Sequence, residues 1–374
     1  MEKGTALYIH IPFCKQKCLY CDFPSFAGKE SYMLDYTKAL CNEIDSKINK
    51  KINTIFIGGG TPTYLSLECL GLLKKSLDKL SKAEYVEFTI EGNPDSLTKE
   101  KLQLFKEMGV NRLSIGLQAF QDSLLKALGR AHNMQQFLAA LSFARELGFK
   151  NINVDLMFGL PSQTLEDWKE TLEKVAELQL EHISAYSLIV EEGTPFYKMD
   201  SMSKLQLPEE EQEREMHEFA VSFLKSKGYI QYEISNFSKK DFQCKHNLTY
   251  WSLEEYFGCG SGAHSYLDGV RYRNTDDIEK YICMIEENKN SCIEEHINSK
   301  KDDMEEFMFM GLRKLEGISK KEFAERFIVH IDEVYKNVLI KFTNRKLLII
   351  EDDRIYLSEE GIQLSNQVMC EFIL

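Results

Sequence analysis

The first half of the chain alternates short apolar runs with longer segments of helical periodicity, and that alternation limits the fold more than any other feature. The runs are ALYIHI (6–11), NTIFIGG (53–59), YVEFTIE (85–91), RLSIGL (112–117), NINVDLMFG (151–159) and HISAYSLI (182–189), and helical patterns fall near 29–50, 66–80, 98–108, 134–147 and 164–179. Strands separated by helices predict a parallel sheet joined by right-handed crossovers. An open doubly wound sheet and a partial barrel both satisfy this pattern. The barrel is favoured by where unusual polar residues fall. The cysteines after the first run, GGGTP (58–62) after the second, Glu91, Gln118 and Asp155 all lie at or near C-terminal strand ends, the face on which such folds bind and react.

With 374 residues and 43% hydrophobic content, the chain can bury a large core, as two domains or one large domain with an appendage. No window approaches the roughly 20 apolar residues of a membrane span. The segment MEKGTALYIHIPF enters a strand directly, without a signal peptide's basic and apolar regions, so a cytoplasmic protein is expected. A net charge of -13 gives no broad attraction to nucleic acid or anionic lipid. Ten cysteines are too sparse for a disulfide scaffold. Three are clustered, and most of Cys41, Cys69, Cys244, Cys259, Cys283, Cys292 and Cys370 read as small buried hydrophobes.

Beyond residue 200 the pattern changes. A helix is expected over 208–228, then YIQYEISNF, a polar and aromatic cluster at 242–266, and from about 302 helices with a hairpin around Glu351 to Arg354, the outline of a winged helix. Residues 302–374 carry 10 Lys plus Arg against 15 Asp plus Glu, whereas a duplex binder presents a basic face. The segment therefore reads as a packing or lid element, with no nucleic-acid partner.

Cys14, Cys18 and Cys21 are spaced three residues and then two apart. Three thiolates can hold a four-iron cluster and leave one iron without a protein ligand, whereas a structural zinc normally takes a fourth ligand. This CxxxCxxC, at the start of a strand-helix series and followed by GGGTP, resembles the radical S-adenosylmethionine (SAM) superfamily. The resemblance implies a [4Fe-4S] cluster on Cys14, Cys18 and Cys21 whose free iron is chelated by SAM. It also implies that Gly59 and Gly60 line the methionine part of SAM and that Thr61 fixes the turn exit. Glu91 would meet the ammonium, Arg130 the carboxylate, Asp155 the ribose hydroxyls and Gln118 the polar edges between them. Tyr20 would lie against the adenine. Tyr8 would face the sulfonium and cluster, or serve as an ordinary interior aromatic.

HNLTYW (246–251), FGCGSGAHS (257–265) and the CLYCDF ending of the cysteine loop resemble the HemW family of bacterial haem chaperones, members of the coproporphyrinogen-dehydrogenase-like branch. The true oxidase carries a further cysteine where this chain has Phe23, and an N-terminal extension where only thirteen residues precede Cys14. The resemblance implies a partial (β/α)6 TIM-like barrel domain over 1–205, an extension containing HNxxYW over 206–300, and a winged-helix-like module over 301–374. It further implies a haem site at His246, Asn247, Tyr250 and Trp251, with His246 as iron ligand. By its own chemistry, without the resemblance, His246 reads more readily as a histidine hydrogen-bonded within a turn. Zinc on Cys244, Cys259 and His264 is a weaker alternative, because the spacings match no common closed module.

The expected function is a haem chaperone that passes haem to respiratory membrane proteins, acting as a monomer or cluster-dependent homodimer and peripherally at the inner face of the membrane during delivery. The alternative is a radical SAM enzyme acting on a tetrapyrrole, fed by a reductant such as flavodoxin or ferredoxin. A binding module with a structural cluster is a third reading. The catalytic residues and the haem acceptor are not legible.

Overall fold

The computed structural model describes residues 4–287 and 290–374. The six expected strands form as Thr5–Ile11 (β1), Ile52–Gly59 (β2), Lys82–Gly92 (β3), Arg112–Gln118 (β4), Ile152–Phe158 (β5) and His182–Ser187 (β6). They pair in chain order, each parallel to the next. This unreversed order is that of a partial barrel, since a doubly wound sheet reverses direction at a switch point. Helices start where the chain supplies caps. Ser66, Thr98, Asn133 and Thr164 each accept a backbone N–H of the first turn, satisfying donors that have no intrahelical partner.

The sheet continues beyond these strands on both sides. Ile230–Glu233 (β7) pairs antiparallel with Asn236–Ser238 (β8), which in turn adds antiparallel to β6. Tyr256–Cys259 (β9) adds parallel to β1, followed by antiparallel His264–Leu267 (β10), Val270–Asn274 (β11) and Cys292–Ile297 (β12). Residues 206–300 thus extend the barrel's own sheet, and Phe237, Phe257 and Tyr281 join the core built on Leu7, Ile55 and Ile115. A separate core around Met308, Phe323, Phe342 and Phe372 holds the C-terminal helices. These pack with the antiparallel strands Ile318–Ser319 (β13), Leu348–Glu351 (β14) and Arg354–Leu357 (β15), the last two forming the expected hairpin. No helix among the described residues is long and apolar enough to cross a membrane.

The scattered cysteines do not follow the expectation. Only Cys69, Cys244 and Cys259 of the seven are buried, while Cys41 and Cys292 are half-buried and Cys283 and Cys370 exposed. Cys283 lies on the amphipathic helix Ile278–Glu286, which buries Ile278 and Tyr281 instead, so helical phase and not residue type decides its exposure.

A buried carboxylate on the barrel's first helix helps to fasten the extension to the barrel. Glu43, on the helix Met33–Lys47, accepts from the Gly260 amide (2.7 Å), the Tyr281 hydroxyl (2.6 Å), the Asn274 amide (2.9 Å) and the Ser291 hydroxyl (3.2 Å), with the Lys47 ammonium at 3.5 Å. Replacing it with alanine strands these donors. Glu43→Ala is expected to destabilise the protein by on the order of 3–5 kcal/mol, and Glu43→Gln by less, in urea denaturation. A midpoint within error of wild type for the alanine variant would refute this role.

Candidate functional site

The C-terminal ends of β1 to β5 open into one cavity of about 330 Å³. Its lining includes Cys14, Cys18, Tyr20, Cys21, Gly59, Gly60, Thr61, Glu91, Gln118, Arg130 and Asp155, residues drawn from six separate parts of the sequence. The loop after β1 reaches the cavity because the chain beyond β2 holds it: the Gly60 and Thr61 amides donate to the carbonyls of Ile11 and Phe13, each at 2.8 Å. A Cβ on Gly60 would fall 2.9 Å from Cys14 Sγ, and one on Gly59, whose φ is +112°, 2.7 Å from the His10 ring. Both positions therefore exclude a side chain, which explains the glycines physically.

The three thiols face this common space in different settings. Thr61 Oγ1 lies 3.5 Å from Cys14 Sγ, Arg130 Nη1 lies 3.2 Å from Cys18 Sγ, and Ser25 Oγ lies 4.0 Å from Cys21 Sγ. Burial pushes the Cys14 and Cys21 thiols up, so binding a metal there must expel protons. Among the described residues, no three His, Cys, Asp or Glu side chains gather around one point as a single metal ion requires. Thiolates that each bind a different iron of a cluster need no such convergence.

The polar wall is built from the strand ends. Asp155 accepts from Asn153 (2.8 Å) and Ser114 (3.2 Å), yet burial still holds its carboxyl above the usual range. Glu91 accepts a long bond from the Gly59 amide (3.3 Å), its only hydrogen bond among the described residues, and is pushed up to about 8 by burial, with the Asp155 charge adding to it. Arg130 Nη2 donates to Asn93 Oδ1 (2.6 Å) and the Gly116 carbonyl (2.8 Å). Gln118 ends β4 with φ +68°. Its Oε1 and the Nε of Arg130 are buried without a partner, and such orphans are costly unless a ligand satisfies them. The cavity thus offers an acceptor for a cation, donors for an anion and a carboxylate suited to a diol.

Sequence reasoning missed Asn93, Asn153 and Ser114. Asn93 links Thr61 (3.2 Å) to Arg130, and its signal was its place directly after β3. Asn153 sits two residues before Asp155 and so on the same strand face.

A second cavity, about 440 Å³, adjoins the first on the β1 side and is lined by Tyr8, His10, Phe23, Tyr250, Trp251, Tyr256, His264, Tyr266, Arg271 and Met310 among others. Phe23 lines both cavities and is 60% exposed. Tyr8, expected beside the cluster, lines this second cavity instead. Its hydroxyl is 3.0 Å from His10 Nδ1, and His10 Nε2 is 2.8 Å from the Pro24 carbonyl.

HNxxYW is split by its own helix, Lys245–Trp251. Tyr250 and Trp251 face the second cavity, whereas His246 and Asn247 are not part of its wall. His246 is neither in a turn nor open to a ligand. It is 1% exposed, with Nδ1 2.8 Å from Thr54 Oγ1 and Nε2 2.7 Å from the Tyr250 hydroxyl, and stacks on Phe56. Burial, with Arg112 adding to it, holds it down at about 3 and so neutral. The helix start is fixed by Glu87, which accepts from the amides of Lys245 (3.1 Å) and His246 (3.0 Å) and lies 3.7 Å from the Cys244 thiol. Cys244, Cys259 and His264 do not converge. Burial pushes the Cys244 thiol up to about 12 and raises that of Cys259, with Glu43 adding to the latter.

The glycine turn supplies a direct test of this packing. Gly59→Ala should cost about 1–3 kcal/mol, from a strained φ and the clash with His10. Gly71→Ala, inside the helix Leu67–Leu77 with nothing within 4 Å, should gain about 0.5–1 kcal/mol. Thermal melts of the two variants with opposite signs are expected, and equal shifts would contradict the assignment.

Comparison with known proteins agrees with this geometry. The profile of the radical SAM superfamily matches residues 8–175, and that of the HemN C-terminal domain matches residues 298–364. Heme chaperone HemW of Bacillus subtilis (strain 168) is 43% identical over 372 residues, covering 98% of each chain. Its namesake from Lactococcus lactis is 38% identical over 375 residues, covering 100% of this chain and 98% of the other. The solved structure of coproporphyrinogen III oxidase (HemN) from Escherichia coli superposes with a TM-score of 0.87 at 22% identity, over 100% of this chain and 90% of that one; this likeness is one of fold. With relatives this similar along the whole chain, the protein belongs to the HemW family of the radical SAM superfamily.

Proposed function

We propose that the chain is a haem chaperone. It binds haem in the aromatic cavity beside HNxxYW, carries a [4Fe-4S] cluster with SAM in the thiol-lined cavity, and passes haem to respiratory membrane acceptors. The observation that carries this reading is the adjacency of two chemically different cavities that share Phe23 as a wall. One offers thiols and paired polar groups, the other aromatic faces of the kind that pack on a porphyrin plane.

In this reading Cys14, Cys18 and Cys21 hold the cluster and leave one iron open. Tyr20, Gly59, Gly60 and Thr61 line the SAM pocket, Glu91 accepts from its ammonium, Arg130 holds its carboxylate, and Asp155 takes the ribose hydroxyls, with Gln118 between them. Tyr250 and Trp251 pack against haem, and His246 holds Tyr250 in place. The cluster with SAM supplies a source of radical chemistry when reduced by flavodoxin or ferredoxin. The Phe23 side chain provides no sulfur or hydrogen-bonding group next to that pocket, which disfavours positioning of porphyrinogen propionates for decarboxylation.

Anaerobic reconstitution, haem titration and product analysis with coproporphyrinogen III test the whole. Wild type should bind haem and form no protoporphyrinogen. Alanine at any one of Cys14, Cys18 or Cys21 should abolish the four-iron cluster while haem still binds. Efficient decarboxylation would replace the chaperone reading by the oxidase one, and a stoichiometric cluster in all three variants would reject the ligand assignment.

A pH dependence follows from Glu91. With its carboxyl pushed up to about 8, it is mostly neutral at pH 6.5, and an ammonium beside it favours the carboxylate. Binding therefore expels a proton, and affinity rises with pH until the carboxyl is ionised without the ligand. Between pH 6.5 and 8.5 wild type should gain on the order of tenfold in SAM affinity relative to Glu91→Gln. Comparison with the variant removes the titration of the ligand's own amino group. Parallel pH profiles would exclude Glu91 from contact with the ammonium.

A further inference from the structure

The aromatic cavity presents several groups able to coordinate iron, and nearly all are already committed. The Tyr8 hydroxyl is hydrogen-bonded to His10, the Tyr250 hydroxyl to His246, the Tyr256 hydroxyl to Arg271 (3.3 Å) and the Tyr266 hydroxyl to Asp303 (2.7 Å). Both nitrogens of His10 are engaged, by Tyr8 and by the Pro24 carbonyl. His246 is likewise engaged at both nitrogens and stands behind Tyr250, outside the cavity wall. For it to reach a ligand in the cavity, Tyr250 would have to leave and the bond to Thr54 or to Tyr250 would have to break.

His264 is different. It begins β10, is exposed, and lines the cavity. Its ring makes no hydrogen bond among the described residues. Its backbone is fixed by pairing with Arg273 across β11, and Gly258 permits the close approach, since a Cβ there would lie 1.8 Å from the His264 carbonyl oxygen. A rigid backbone carrying an uncommitted imidazole over an aromatic-walled space is the arrangement an axial haem ligand requires. Among the described residues Met310 brings a further uncommitted donor to the wall, a thioether, which is a softer ligand that favours reduced metal.

We propose that His264, and not His246 of HNxxYW, supplies the axial imidazole to haem iron, and that His246 is a positioning residue that sets Tyr250. This rests on the reading that haem occupies the aromatic cavity. It reassigns the ligand within that reading: FGCGSGAHS becomes the iron-binding element and HNxxYW the aromatic wall. The ferric iron gains one nitrogen lone pair from a neutral ring, with no bond broken elsewhere in the protein and no change of oxidation state.

Ferric haem titration of the full-length protein, followed by absorption and EPR, separates the candidates. His264→Ala should lose the axial-imidazole signature and weaken haem binding by roughly tenfold or more, and added free imidazole should restore the spectrum. His264→Gln, which keeps a polar side chain of similar reach, should behave the same, so that a folding defect in one variant does not decide the outcome. His246→Ala should keep the imidazole signature while lowering affinity, and Met310→Leu should change neither. A wild-type spectrum in both His264 variants would overturn the proposal while leaving haem binding intact. Loss of the signature in His246→Ala alone would return the ligand role to HNxxYW. Failure of wild type to bind haem would overturn both this proposal and the reading beneath it.

Discussion

The arrangement depends on β1 being paired in parallel on both edges, to β2 on one side and β9 on the other. An edge strand of an open sheet would leave one row of amides unpaired. Here the second row is taken by β9, more than 240 residues later in the chain. The consequence is positional. The loop carrying the three thiols leaves β1 next to the glycine turn after β2, and the GCGSGAH loop leaves β9 next to the same strand end. Two cavities therefore lie side by side, with Phe23 in the wall of both.

Side-chain alternation along β1 divides its work. Leu7, Ile9 and Ile11 enter the core, while Tyr8 and His10 point to the other face and reach the second cavity. The same period of two puts Asn153 and Asp155 together on β5, where Asn153 orients the carboxylate. In each case a buried polar group is retained because neighbours satisfy it, and where satisfaction is incomplete, at Gln118 and Arg130, the unmet atoms mark space for a ligand.

The buried carboxylates Glu43 and Glu87 act as fasteners. Glu43 gathers donors from residues 260 to 291, and Glu87 caps the helix that carries Tyr250 and Trp251. Desolvating a carboxylate is expensive, and several well-placed N–H and O–H groups offset it only if all arrive together. Such contacts favour a single docking of the extension on the barrel.

Much of this was legible in the sequence because it depends on short-range rules. Strand and helix alternation fixed six strands to within a few residues, strand-end polarity pointed to a barrel, and all but Tyr8 of the residues assigned to the cluster and SAM share one cavity. What local pattern could not decide was which side of an element faces which space. Four residues separate His246 from Tyr250, close enough on a helix to bond to one another, yet only Tyr250 reaches the cavity; no spacing rule distinguishes the two. Likewise the sequence shows His264 only as a histidine in a glycine-rich loop, and it is the docking of β9 on β1 and the return of β10 that put it in the wall of the aromatic cavity. Element type follows from periodicity and capping, which the chain states locally. The commitment of each polar atom depends on partners hundreds of residues away, and only the packed structure brings those together.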